Sequence, residues 1–147
     1  MTITQILSNE HLHCDTLFVQ VEVEVTDEHW DKANTSLADF IKAMEQHFSA
    51  EEHVLFPAFE QHTGHPTGPT QVMRFEHQQM RQLFEQMQNS VTQQNQAEYL
   101  GLSETLLMLM RQHNAKEEQI LYPMTDQVLS DKVPTILEQM RLSQPGA

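Results

Sequence analysis

HFSAEEHVLFP, residues 47–57, and HNAKEEQILYP, residues 113–123, are one pattern written twice: H-x3-E-E-x2-L-[FY]-P. In each copy His and Glu stand four apart, His47 with Glu51 and His113 with Glu117, one helical turn from each other. The flanking residues make helix the right reading. At about 100° per residue, Phe40, Met44, His47, Glu51, Val54 and Ala58 share one stripe of the segment 37–61. Leu106, Leu109, His113, Glu117, Ile120 and Met124 share one stripe of 99–129.

A second motif repeats at the same interval. Glu10-His11 followed by Leu17-Phe18, and Glu76-His77 followed by Leu83-Phe84, are both E-H-x5-L-F, and the offset is 66 for His11 to His77 as for His47 to His113. Met44/Met110 and Gln46/Gln112 extend the match. Two unrelated motifs with one offset point to a duplicated helical hairpin. The lone histidines sit on helical stripes as well: Leu7, His11, Cys14, Phe18 and Val21 in 4–25, and Met73, His77, Met80, Phe84 and Met87 in 71–91.

The breaks agree with four helices. QHTGHPTGPT, residues 61–70, holds two Gly and two Pro and cannot continue a helix. Residues 89–96 are polar and Gln-rich and read as a loop. Residues 26–30 read as a turn, with Thr26 or Asp27 as N-cap. VEVEV, residues 21–25, alternates like a strand but finds no second strand to pair with, so it is taken as the end of the first helix. Pro134 opens a short last helix, and 143–147 is expected to fray. The expectation is one all-α domain over 1–147, an up-down-up-down antiparallel four-helix bundle with a short helix or frayed tail after about 130.

Composition narrows the function. With 8 Lys+Arg against 21 Asp+Glu, the formal charge is −13, which argues against a basic face for nucleic acid or an anionic membrane. Hydrophobic residues at 39% suffice for a core. One Cys excludes an internal disulfide. No stretch approaches the ~18 apolar residues of a membrane span. The first residues lack the basic and apolar regions of a signal peptide, so a cytoplasmic location is expected.

Carboxylates on apolar stripes cost several kcal/mol unless paired or bound. Four imidazoles and two carboxylates, in phase on four helices, have a natural partner in metal ions. The candidate ligands are His11, His47, Glu51, His77, His113 and Glu117. Two carboxylates can bridge two ions about 3.5–4 Å apart, with the four His as terminal ligands. An N/O set without thiolate suits Fe, Mn or Zn. For any one of these His the plainer reading is a satisfied core histidine; the repeated constellation favours metal.

The neighbours get plainer readings. Glu52 and Glu118 lie about 140° from their His and read as solvated flank charges, unless a π-bulge turns them inward. Asp15 and Arg81, at the same offset of 66, suggest a cross-bundle ion pair, or a hydrogen bond from Asp15 to a ligating imidazole. Cys14 reads as a small buried hydrophobe rather than a ligand or redox group. The stripe Met44, Met73, Met80, Met87 and Met110 reads as core packing, with a sacrificial shell near an oxidant as the bolder alternative. His13, His29, His53, His62 and His65 read as surface residues, the last two able to bind adventitious metal. Trp30 and Tyr122 read as packing residues, Tyr122 within reach of the groups behind the ligands.

The pattern resembles the hemerythrin-like family, the hemerythrin HHE cation-binding domain, from Glu10 to about Gln127. The matching elements are His11, His47 with Glu51, His77, and His113 with Glu117, in order on four helices. The resemblance implies a non-haem di-iron centre, two iron ions bridged by the two carboxylates and an oxo or hydroxo group, with Mn or Zn as alternatives. It also implies binding or sensing of O2, NO or peroxide. The alternatives are a di-iron enzyme of oxidative or nitrosative stress defence or iron–sulfur repair, and a structural metal-binding module. Two positions depart from the oxygen carriers of this family. Met73 and Arg81 stand one turn either side of His77, where the carriers have a further His, and Glu117 comes four residues after His113, where they have Asp at five. The four-His, two-Glu set looks more like the repair-of-iron-centres proteins. Those carry an additional N-terminal cysteine-bearing domain, which is not expected with the first ligand at position 11.

Overall fold

The computed structural model describes residues 1–64 and 68–143. Among the described residues, seven α-helices and two π-helical turns follow one another: α1 (Ile3–Thr26), α2 (Trp30–Ala50), a first π turn (Glu51–Leu55), α3 (Phe56–Thr63), α4 (Pro69–Thr92), α5 (Gln96–Lys116), a second π turn (Glu117–Leu121), α6 (Tyr122–Val128) and α7 (Val133–Leu142). The described residues are almost all helical, with no strand among them, and VEVEV lies in the last part of α1. Each π turn joins its two helices into one continuous arm. The four arms pack α1 on α2, α2 on α4, α4 on α5 and α5 back on α1, which is the up-down-up-down order. α7 lies against the first π turn.

The ends are set by local chemistry. Thr2 and Gln5 form a reciprocal capping box at the start of α1. Asp126 of α6 takes the next donors, accepting from the amides of Ile3 at 2.8 Å and Thr4 at 3.0 Å. Pro69 opens α4, where its missing N–H costs nothing. Asn95 caps α5 by accepting from the Glu98 amide at 3.1 Å. Gly64 ends α3 at φ 73°, a conformation that favours glycine.

Several boundaries differ from the sequence expectation. The second helix begins at Trp30 rather than 37, and its N-cap position is His29, not Thr26 or Asp27. The helices run on to Thr63 and Thr92, which shortens the expected 61–70 and 89–96 breaks. α7 starts at Val133 with Pro134 in its first turn, as expected. Residues 144–147, read as frayed, and His65 lie outside the described residues.

The π turns have the largest effect. In each, an amide reaches five residues back: Phe56 N–H to Glu51 O, and Tyr122 N–H to Glu117 O. Pro57 and Pro123 follow at once and have no N–H to restore the α register. One extra residue per turn advances the buried face by one position. Leu55 and Phe59 are buried in place of Val54 and Ala58, and Leu121 and Thr125 in place of Ile120 and Met124. Ile120 is 57% exposed.

The core divides into two apolar clusters. One holds Cys14, Phe18, Phe40, Met44, Met80, Phe84, Met110 and their neighbours. The other holds Ile3, Leu7, Leu55, Phe56, Met73, Leu121 and Tyr122, closed by Val133, Ile136 and Met140 of α7. The polar residues of the two repeats occupy the level between them. All five methionines of the stripe are buried in these clusters. Among the described residues, no helix is long and apolar enough to cross a membrane.

Candidate metal centre

His11 (α1), His77 (α4), His47 and His113 near the C-terminal ends of α2 and α5, and Glu51 and Glu117, which open the two π turns, come together in the bundle. All six are between 0 and 4% exposed. They form two histidine pairs. His11 and His47 bring their Nε2 atoms within 3.0 Å, and the rings of His77 and His113 lie 5.0 Å apart.

Each carboxylate faces both pairs. Glu51 Oε1 is 3.4 Å from His47 Nε2 and 3.2 Å from His77 Nε2. Glu117 Oε1 is 3.1 Å from His11 Nε2 and 3.2 Å from His113 Nε2. Glu51, His77, His113 and Glu117 each offer a donor atom within 4.8 Å of the others, and so do His11, His47 and Glu117. Four buried inward atoms have no aligned hydrogen bond: Glu51 Oε1, His77 Nε2, His113 Nε2 and Glu117 Oε2. Such orphans are costly in a protein interior. A cation at their centre satisfies all four, and imidazole with carboxylate suits Fe, Mn or Zn.

Behind every imidazole stands another glutamate. Nδ1 of His11 meets Glu118 at 2.6 Å, His47 meets Glu10 at 2.7 Å, His77 meets Glu52 at 2.7 Å, and His113 meets Glu76 at 2.8 Å. An Nδ1–H held by a carboxylate leaves Nε2 as the inward lone pair in the neutral ring. Glu52 and Glu118 are therefore not solvated flank charges: the π turns swing both toward the histidines. The four pairings themselves repeat at the offset of 66. That regularity was the available signal, since Glu10/Glu76 belong to E-H and Glu52/Glu118 to the second position of E-E.

The two halves differ in support. Arg81 forks onto Glu52 at 3.1 Å and onto Glu45 at 2.9 Å, and Lys116 pairs with Glu76. The expected Asp15–Arg81 pair does not form, and the Nδ1 of His11 is taken by Glu118 rather than Asp15. Among the described residues no Lys or Arg pairs with Glu10 or Glu118. Phe48 stacks on His77 at 3.9 Å, and Phe56 lies beyond at 5.9 Å. At the position equivalent to Phe56, Tyr122 stacks near His11 at 5.7 Å. Its hydroxyl reaches Glu51 Oε2 at 2.6 Å and Glu117 Oε1 at 2.8 Å, so it is more than a packing residue. A groove of about 430 Å³ between α1 and α5, lined by His11, Asp15, Arg111 and Glu118, opens beside this half.

The electrostatics follow from the crowding. Burial disfavours charge on His11 and His77, but hydrogen bonds and attraction from Glu117, Glu118, Glu51 and Glu52 outweigh it, raising both to about 9. His113 is raised as well, burial being overcome mainly by Glu117. Burial and the neighbouring Glu117 push Glu51 up. Glu117 is held well below the ordinary range, the surrounding histidines outweighing its burial. Glu52 falls to about 2 because His77 and Arg81 outweigh its partial burial. Burial and the two carboxylates raise Tyr122.

The remaining sequence candidates lie away from this cluster. Cys14 is a buried member of the apolar core, its thiol pushed up to about 12 chiefly by burial. His13, His29, His53 and His62 are exposed, and Trp30 packs half-buried against the core.

The hemerythrin HHE cation-binding domain model matches residues 2–125, which contain every residue of the buried cluster. No curated relative and no solved structure matches the chain. With a family model covering most of its length, and a buried His/Glu cluster able to hold metal within the matched residues, the chain belongs to the hemerythrin HHE cation-binding domain family.

Proposed function

We propose that His11, His47, His77 and His113 with Glu51 and Glu117 hold two iron ions, and that the centre binds or senses a small ligand such as O2, NO or peroxide. Manganese and zinc are the alternative metals. The observation that carries this reading is the double engagement of each carboxylate. Glu51 and Glu117 each face one histidine from both pairs, which suits two ions sharing two anions. The orphaned inward atoms supply the energetic reason.

When bound, an iron pair with an oxo or hydroxo bridge supplies electron exchange with a small oxidant. The protein's part is to orient four imidazoles through Glu10, Glu52, Glu76 and Glu118 and to keep bulk water away from the carboxylates. The lone, buried Cys14 fits a reducing compartment, so the cytoplasm is the proposed location.

The test is metal analysis of protein from iron-replete cells, with absorption spectra before and after reduction and on return to air. About two irons per chain and a near-ultraviolet oxo-bridge band that bleaches and returns support the reading. Zinc alone, or a folded bundle that takes up no metal, overturns it in favour of a structural or lapsed site.

A further inference from the structure

One of the places where the pseudo-symmetry of the site fails lies inside the cluster itself. Sixty-six residues separate Phe56 from Tyr122, the aromatic places of the two L-[FY]-P motifs. Both rings are fully buried and both lie against a histidine. Only Tyr122 brings an oxygen, and it brings it to the His11/His47 side. The Tyr122 hydroxyl stands 2.6 Å from Glu51 Oε2, 2.8 Å from Glu117 Oε1, 3.2 Å from His11 Nε2 and 3.4 Å from His47 Nε2. These atoms also crowd one another: His11 Nε2 is 3.0 Å from His47 Nε2 and 3.1 Å from Glu117 Oε1.

Such spacings have a definite meaning. Donors at right angles around one ion, each about 2.1 Å from it, stand about 3.0 Å apart. The contacts of the hydroxyl and of His11 Nε2 thus have the spacing of neighbouring corners of one coordination shell. On the opposite side the equivalent residue is Phe56, which brings no oxygen and whose ring stacks 5.9 Å from that of His77. There the inward Nε2 atoms of His77 and His113 remain without a hydrogen bond.

Burial sharpens the argument. Tyr122 is fully buried, and its hydroxyl is enclosed by the two histidines and the two carboxylates. Its hydrogen-bond acceptors are Glu51 and Glu117. If those carboxylates bind ions, the metal competes with the phenol proton for the same oxygens, and the phenol oxygen lies in the same space.

We propose that Tyr122 is an oxygen donor to the ion held by His11 and His47, which makes the two metal positions chemically inequivalent. The inference rests on the two-metal reading above. The phenol proton leaves to solvent when the ion binds, as metal binding at a protonated donor requires. The ion between His77 and His113 then has one protein donor fewer.

The test uses the full chain loaded with ferrous iron and oxidised in air, alongside Tyr122→Phe treated identically. Metal content and helical circular dichroism are measured on both. A phenolate bound to iron(III) gives a visible charge-transfer band, and resonance Raman excitation within it enhances the tyrosine ring modes. Wild type should show the band and those modes, and Tyr122→Phe, still folded as its phenylalanine twin at position 56 suggests, should lose both entirely. Two irons bound in wild type without this band, or with a band that survives in Tyr122→Phe, overturns the Tyr122 assignment and leaves the metal centre standing. A wild-type chain that takes up no iron overturns the centre itself.

Discussion

Glu52 accepts the Nδ1–H of His77 at 2.7 Å from a different arm of the bundle, and Arg81 in turn clamps Glu52. The carboxylate fixes which nitrogen faces inward, and the guanidinium fixes the carboxylate. Partners of this kind behind metal-binding histidines typically contribute about 10- to 100-fold in metal affinity. Glu52→Gln should therefore weaken metal binding by about that factor while leaving the fold intact. Competition with a chelator measures it. An unchanged affinity would mean that packing of His77 against Phe48 orients the ring without help.

Glu51 and Glu117 each face both histidine pairs, so if two ions bind as proposed, losing either carboxylate should disturb both. Glu51→Ala and Glu117→Ala should each lose most of the bound metal. His53→Ala, an exposed residue two positions from Glu51, should lose none. Metal content after loading in parallel decides the matter. Full occupancy in Glu51→Ala would sink the shared-carboxylate assignment.

Much of the bundle was legible because its signals are redundant. His11, His47, His77 and His113 sit on apolar stripes at one offset, and the structure gathers them with Glu51 and Glu117. What the spacing hid was the pair of π turns. A uniform period of about 3.6 residues carried the stripe from Glu51 to Val54 and from Glu117 to Ile120. The chain instead inserts one residue, so Leu55 and Leu121 point inward. The same insertion turns Glu52 and Glu118 onto the histidines, and no periodicity argument without the π turn places them there. Only the E-E pair followed by Pro in both copies hinted at it.

The π turns make a sharp prediction about neighbours. Leu121 is buried in the cluster closed by α7, whereas Ile120 faces solvent. Leu121→Ala should destabilise the metal-free protein by about 2–5 kcal/mol, and Ile120→Ala by no more than about 0.5 kcal/mol. Urea denaturation of the two variants reads the difference. Equal costs, or the reverse order, would mean that the arm keeps an unbroken α register through this segment.

The buried charges also set how the metal-free bundle responds to pH. His11 and His77 titrate at about 9 in the folded chain, against an ordinary value of 6.5. A group whose folded pKa is raised stabilises the fold fully below its unfolded pKa, and that contribution is lost as pH rises through the folded pKa. Glu51, also raised, acts in the same direction. Glu52 works oppositely, its contribution being lost only as pH falls from about 4.5 toward 2. Each of the two histidines accounts for on the order of 3 kcal/mol, so the chelator-stripped protein should lose thermal stability steadily from pH 6.5 to 9. In the loaded protein, ions replace those protons as partners of Glu51 and Glu117, and protons compete with ions for the imidazoles. Its stability should hold through the same alkaline interval and fall at acid pH as metal is released. Melting temperatures of both forms across pH 5 to 9.5 provide the check. A stripped protein whose melting temperature stays level or climbs from pH 6.5 to 9 would show that these histidines are neutral in the folded chain without metal.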